Sequence, residues 1–269
     1  MSLVLCLTPA WAGTVYLTAD DLNGTNLFGT VNIATGQFTQ ITTTSQLFLA
    51  LTSRPGGQII GADANSGNLF TISPSGATAQ FGSVTAPDAF YGLAYSSSAG
   101  NFFADNLNST NVTLHSIAGT GNSSSFVGTL AGPGSGLFPT GNLVFGPGGS
   151  LFFDFLPTNG ASSVLYTVNT SNGALTQVGG GLGTDILSLF SDGNILYGID
   201  ADTTSNTGIY TINTSTGLAT RISTLTGLPV GDFFVDAVTF STPETGSSLG
   251  LMLLALAGLI GASRGLRRA

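Results

Sequence analysis

Apolar and polar positions alternate through a phrase that recurs along the chain: LFGTVNIATGQFTQI from Leu27, LFTISPSGATAQFGSV from Leu69, LYTVNTSNGALTQVGG from Leu165 and IYTINTSTGLATRIST from Ile209. Each copy predicts a hairpin. Leu165, Thr167 and Asn169 alternate with Tyr166 and Val168 at the period of two of a half-buried strand. Asn, Ser, Thr and Gly at the centre of each copy suit a tight turn. Before the hairpins lies a further strand that ends in aspartate: VYLTAD to Asp20, QIIGAD to Asp63, NFFAD to Asp105, LFFD to Asp154 and LYGID to Asp200. Ahead of these comes a third apolar strand, as in FLALTS from Phe48, YGLAYS from Tyr91, NLVFG from Asn142 and ILSLFS from Ile186.

The first repeat lacks this third strand, and a matching one, VDAVTF from Val235 to Phe240, stands alone at the far end. Pairing the two ends completes the first repeat and leaves no long sheet edge open. Strand starts near Phe48, Tyr91, Asn142, Ile186 and Val235 are 43, 51, 44 and 49 residues apart, the spacing of four-stranded blades. The expectation is an all-β, five-bladed β-propeller closed by its N- and C-terminal strands. A right-handed β-helix of ~22-residue coils is the alternative, though it does not account for the split first repeat.

Both ends differ from this body. Residues 1–12 carry an apolar run from Leu3 to Leu7 and the small pair Ala10 and Ala12 ahead of Gly13, the pattern of a secretory signal peptide and its cleavage site. Residues 13–241 form the repeat domain and 242–269 a tail. The tail places Pro243 and Glu244 before an uncharged apolar run from Leu249 to Ala262, followed by Arg264, Arg267 and Arg268. Such a run, fourteen residues long at about 1.5 Å each, reaches about 21 Å, short of the ~30 Å hydrocarbon core. It suits a transient inner-membrane helix, with the arginines held on the cytoplasmic side.

In its order of short motif, apolar helix and arginine cluster, the tail resembles the PEP-CTERM sorting signal of Gram-negative bacteria. The resemblance covers about the last 27 residues and departs from the family at Thr245, where a second proline is usual. It implies export to the cell envelope, outer surface or extracellular space, handling by an exosortase-type membrane transpeptidase, and a setting of biofilm and exopolysaccharide.

Charge narrows the chemistry. Charged residues are 7% of the chain, there is no lysine, and the body sets twelve Asp against Arg54 and Arg221, a net charge of about −10. Such a surface repels nucleic acid and favours cations, neutral glycans or proteins as partners. The one cysteine, Cys6, falls in the signal segment, which excludes disulfides and thiolate chemistry from the mature body. Topology carries Asp20, Asp63, Asp105, Asp154 and Asp200 to one rim, where calcium is the natural ligand for clustered carboxylates. Asp21, Asp202, Asp88, Asp185, Asp232 and Asp236 are assigned to the same rim, and Asp192 to the other. The plainer reading has each aspartate capping its own turn.

Catalysis would rest on aspartates alone, since His115 is the only imidazole. The function expected is therefore a noncatalytic surface or matrix propeller that presents a rigid face to an extracellular polysaccharide or surface protein. An aspartate-based glycan-acting hydrolase is the alternative. The adjacent pairs Phe102-Phe103, Phe152-Phe153 and Phe233-Phe234 read as core packed between blades, or alternatively as a sugar-stacking platform.

Overall fold

The computed structural model describes residues 14–20, 24–84, 90–108, 111–130, 137–139, 143–157, 162–200, 206–228 and 234–241. The signal segment and the sorting tail, with Ala10, Ala12, Pro243, Glu244, Arg264, Arg267 and Arg268, lie outside them. Among the described residues no helix is long and apolar enough to cross a membrane.

Five antiparallel sheets make five blades. From the axis outward, blade 1 is Phe234–Ser241, Thr14–Asp20, Asn26–Val31 and Phe38–Thr44. Blade 2 is Phe48–Arg54, Gln58–Asp63, Asn68–Ile72 and Thr78–Ser83. Blade 3 is Phe90–Ser96, Asn101–Asn108, Asn111–Ile117 and Ser124–Thr129. Blade 4 has an innermost strand in two pieces, Leu137–Pro139 and Val144–Phe145, then Leu151–Pro157, Val164–Val168 and Leu175–Gln177. Blade 5 is Ile186–Ser191, Leu196–Asp200, Gly208–Ile212 and Ala219–Thr224. Each innermost strand packs against the innermost strands of both neighbouring blades, which closes the ring about a central channel.

Because side chains alternate along a strand, each second strand feeds two seams. Phe102 packs toward blade 2, whereas its neighbour Phe103 packs toward blade 4. Phe153 and Phe152 divide in the same way between blades 3 and 5. All four rings are buried, so these phenylalanine pairs are seam core. Phe233 lies outside the described residues. Burying each such ring contributes roughly 1.5–3 kcal/mol, and five apolar clusters, one per seam, hold the ring together.

Closure is double. The innermost strand of blade 1 is the C-terminal strand, paired antiparallel with the N-terminal one from Thr14↔Ser241 to Asp20↔Phe234. Farther out, the Thr226 N–H donates to Gly36 O at 2.9 Å, the Phe38 N–H to Thr226 O at 2.8 Å and the Ser223 hydroxyl to Ile33 O at 2.6 Å. These bonds tie blade 5 to blade 1.

The hairpin turns are held by the residues that predicted them. Asn213 Oδ1 accepts the N–H groups of Ser215 and Thr216 at 2.9 and 3.0 Å, and Asn32 and Asn169 act in the same way in their own turns.

Candidate functional site

The innermost strands of four blades carry a one-residue bulge at one equivalent place, which supplies a common register. It falls between Phe48 and Ala50, Phe90 and Gly92, Ile186 and Ser188, and Val235 and Ala237. Asp63 and Asp200 pair with the residues just before it, Phe48 and Ile186. In blade 3 that partner is Asn106, while Asp105 lies one residue earlier, opposite Gly92. Asp154 pairs with Leu165 as Asp105 pairs with Leu114, so these two are equivalent to each other. In blade 1 the place of Asp63 falls to Ala19, and Asp20 comes one residue later.

A shift of one residue along a strand turns the side chain to the other face. Asp105 therefore faces blade 4 and Asp154 blade 5, whereas Asp63 faces back toward blade 1 and Asp200 toward blade 4. Asp20 faces blade 2. The five carboxylates share a rim of the ring and enter three of its seams: Asp20 and Asp63 the one between blades 1 and 2, Asp105 the one between blades 3 and 4, and Asp154 and Asp200 the one between blades 4 and 5.

Asp63 and Asp200 are engaged within their own blades. Asp63 Oδ1 accepts the Leu47 N–H at 3.2 Å and Oδ2 the Ser66 hydroxyl at 2.5 Å. Asp200 Oδ1 accepts the Gly208 N–H at 2.8 Å and Oδ2 the Tyr210 hydroxyl at 3.0 Å. Burial and this carboxylate both raise the Tyr210 hydroxyl above its ordinary pKa, and burial is the larger cause.

Asp105 is fully buried, and among the described residues neither of its oxygens has a hydrogen-bond partner. Burial pushes its pKa up to about 7, against a weaker opposing pull from the amides of Asp105 itself and Gly92 that falls short of hydrogen-bond geometry. Asp154 is fully buried as well, and Asp20 is half-buried.

Asp185 is exposed. Asp21, Asp88, Asp202 and Asp232 lie outside the described residues. Asp236 is the extra residue of the blade 1 bulge. Among the described residues, no three His, Cys, Asp or Glu side chains gather into a group able to hold a metal ion. His115 sits on the third strand of blade 3, edge-on to Phe90 and Phe126, with Nε2 3.1 Å from the Thr113 hydroxyl, and burial lowers its pKa.

On the opposite rim, where the innermost strands end, the channel opens into a cavity of about 80 Å³. Equivalent positions ring it: Ser53, Tyr95, Phe145 and Ser191 pair with Ile59, Phe102, Leu151 and Leu196, the matching first core positions of the second strands. Thr52, Leu93, Leu143 and Leu189 lie behind them. Among the described residues no charged side chain lines this cavity. The two charged side chains next to it in sequence, again among the described residues, are held within their own blades. Arg54 lies over the Phe81 ring at 5.2 Å and donates to Gln58 Oε1, while Asp192 Oδ1 accepts the N–H groups of Asn194 and Ile195 at 2.8 and 2.7 Å.

The five sheets, their seams and the double closure define a five-bladed β-propeller. A scan against protein-family models found no match, and a search of curated proteins found none. Solved structures resemble it in fold. TolB from Acinetobacter baumannii aligns with a TM-score of 0.51 at 12% identity, over 79% of this chain and 53% of that one. A chain of a nidogen/laminin complex aligns at 0.51 with 9% identity, over 86% and 98%. A protein of unknown function from Bacteroides caccae aligns at 0.51 with 11% identity, over 85% and 98%. This chain spans about half the length of the TolB chain, and at such identities the likeness is one of fold.

Proposed function

We propose that this protein is an exported, noncatalytic propeller, sorted to the cell surface through its C-terminal tail, where it presents a rigid face to an extracellular polysaccharide or surface protein. The observation that carries the noncatalytic half of this reading is the engagement of Asp63 and Asp200. A pair of acids working on a glycosidic bond has to face one solvent-filled space about 5 to 10 Å across. Here the two acids lie in different seams, Asp63 between blades 1 and 2 and Asp200 between blades 4 and 5, and each accepts bonds from its own blade. The sorting half rests on the resemblance of residues 242–269 to PEP-CTERM tails.

The test is expression of the full chain in a Gram-negative, exopolysaccharide-producing host with and without its exosortase. The expected result is a surface-exposed body that has lost the segment beyond Pro243 only when the exosortase is present, as read by mass spectrometry. A body that keeps Arg264, Arg267 and Arg268 in both hosts overturns the sorting half. Hydrolysis of the host polysaccharide by purified protein overturns the noncatalytic half.

A further inference from the structure

We propose that the channel mouth ringed by Ser53, Tyr95, Phe145 and Ser191 is the binding site for one uncharged sugar residue of the polysaccharide. This rests on the reading that a polysaccharide is the partner, and it places contact on the rim opposite the repeated aspartates.

Three observations lead to this ligand class. Among the described residues the mouth has no charged side chain, and the charged neighbours Arg54 and Asp192 are fixed by partners of their own. An ionic group entering it would lose water without gaining a counter-charge, which is costly. The hydrogen-bonding groups present work in both senses. Each innermost strand pairs on one side only, so its other edge turns backbone N–H and C=O groups toward the axis. The hydroxyls of Thr52, Ser53 and Ser191 add groups that both donate and accept. The Thr52 oxygen accepts the Tyr95 N–H at 3.2 Å and the Ser191 oxygen accepts the Gly193 N–H at 2.9 Å, which leaves both hydroxyl hydrogens to donate.

The third observation is the pair of half-buried rings at the mouth, Tyr95 and Phe145, each braced edge-on from behind by Phe102 and Phe103 at 5.0 and 6.0 Å. A flat, braced ring beside hydroxyls and backbone edges suits a molecule with one apolar face and a fringe of neutral hydroxyls, which describes a pyranose.

Size limits how much of the sugar enters. Pockets that enclose a whole small ligand run to roughly 300–1,000 Å³. A cavity of about 80 Å³ takes an exocyclic group or one edge of the ring and leaves the rest outside. A single site of this kind binds weakly, with Kd on the order of millimolar. Many copies displayed together on a polymer-rich surface turn such contacts into stable attachment.

The experiment uses the body, residues 13–241, since the ring closes on itself between Thr14 and Ser241. Binding of glucose, N-acetylglucosamine and glucuronate is followed by saturation-transfer NMR, and retention of host exopolysaccharide by co-sedimentation. Ser53→Phe and Ser191→Phe each crowd the mouth, and thermal melts check that they fold. The expected result is saturation of a neutral sugar, at least tenfold weaker binding of glucuronate, and at least a tenfold loss in whichever filled variant melts like wild type. Equal sugar binding by wild type and folded filled variants overturns the site. Retention of the polysaccharide by both also overturns it, while the polysaccharide reading stands. No retention of polysaccharide and no saturation of any sugar overturn the reading and the site together.

Discussion

Thr18 Oγ1 donates a hydrogen bond of 3.1 Å to the carbonyl oxygen of Phe48, across the seam between blades 1 and 2. Thr18 stands opposite Ala237, just after the bulge, and the equivalent residue of blade 3 is Asp105. A buried hydroxyl and a buried carboxyl thus occupy one position of the propeller, each aimed at the next blade. Thr18→Val keeps the shape and leaves the Phe48 carbonyl without this donor. We expect a loss of about 1–2 kcal/mol in unfolding free energy, read from denaturant melts.

Asp105 predicts an unusual pH profile. Its pKa rises from 3.8 in the unfolded chain to about 7 in the fold, so between those values the folded state holds a proton that the unfolded state has released. Its contribution to stability is greatest below about pH 4, falls as pH rises toward 7, and is flat beyond. The slope is on the order of 1.4 kcal/mol per pH unit within that window. Melts of wild type and Asp105→Asn across pH 4 to 8 should show the decline in wild type and a flatter profile in the variant.

Close approach of backbones at the outer edge of the seams sets a third expectation. A Cβ on Gly82 would lie 2.5 Å from the carbonyl oxygen of Gly121 in the next blade, whereas one on Gly180 would meet nothing within 4 Å. Gly82→Ala should cost about 1–3 kcal/mol as the blades are forced apart. Gly180→Ala, at a position without positive φ, should fall within about 0.5 kcal/mol of wild type.

Ring closure gives a fourth. Deleting Phe234–Ser241 removes the innermost strand of blade 1 and exposes the edge of Thr14–Asp20, leaving the outer latch of Thr226 on Gly36 and Phe38 and of Ser223 on Ile33. We expect the truncated body to lose its single cooperative melt and to associate through the freed edge. An unchanged, monomeric melt would contradict the closure.

The architecture was legible in the sequence because a strand period of two and Asn- or Gly-centred turns are local signals. The five innermost strands begin at Phe48, Phe90, Leu137, Ile186 and Phe234, close to the expected starts except in blade 4. There the short piece Leu137–Pro139 was missed, because three residues bounded by Gly- and Pro-rich sequence carry no periodicity.

Register was harder to read. The aspartates looked equivalent because each follows an apolar run, yet Thr14–Asp20, Gln58–Asp63, Asn101–Asn108, Leu151–Pro157 and Leu196–Asp200 are 7, 6, 8, 7 and 5 residues long. Only cross-strand partners fix which residue is which. The mouth residues were invisible for the opposite reason. Ser53, Tyr95, Phe145 and Ser191 share a position but divide between serines and aromatic rings, so no single motif marks them. Counting back from each tight turn between first and second strands would have found them.

Asp63 and Asp200 commit their carboxylates to donors of their own blades. The direct measurement is a thermal melt of residues 13–241 in EDTA and again with excess calcium. Coincident melts are expected, because carboxylates already satisfied by donors of their own blades gain little from an added cation. A rise of several degrees with calcium, abolished by Asp63→Asn or Asp200→Asn, would contradict this account.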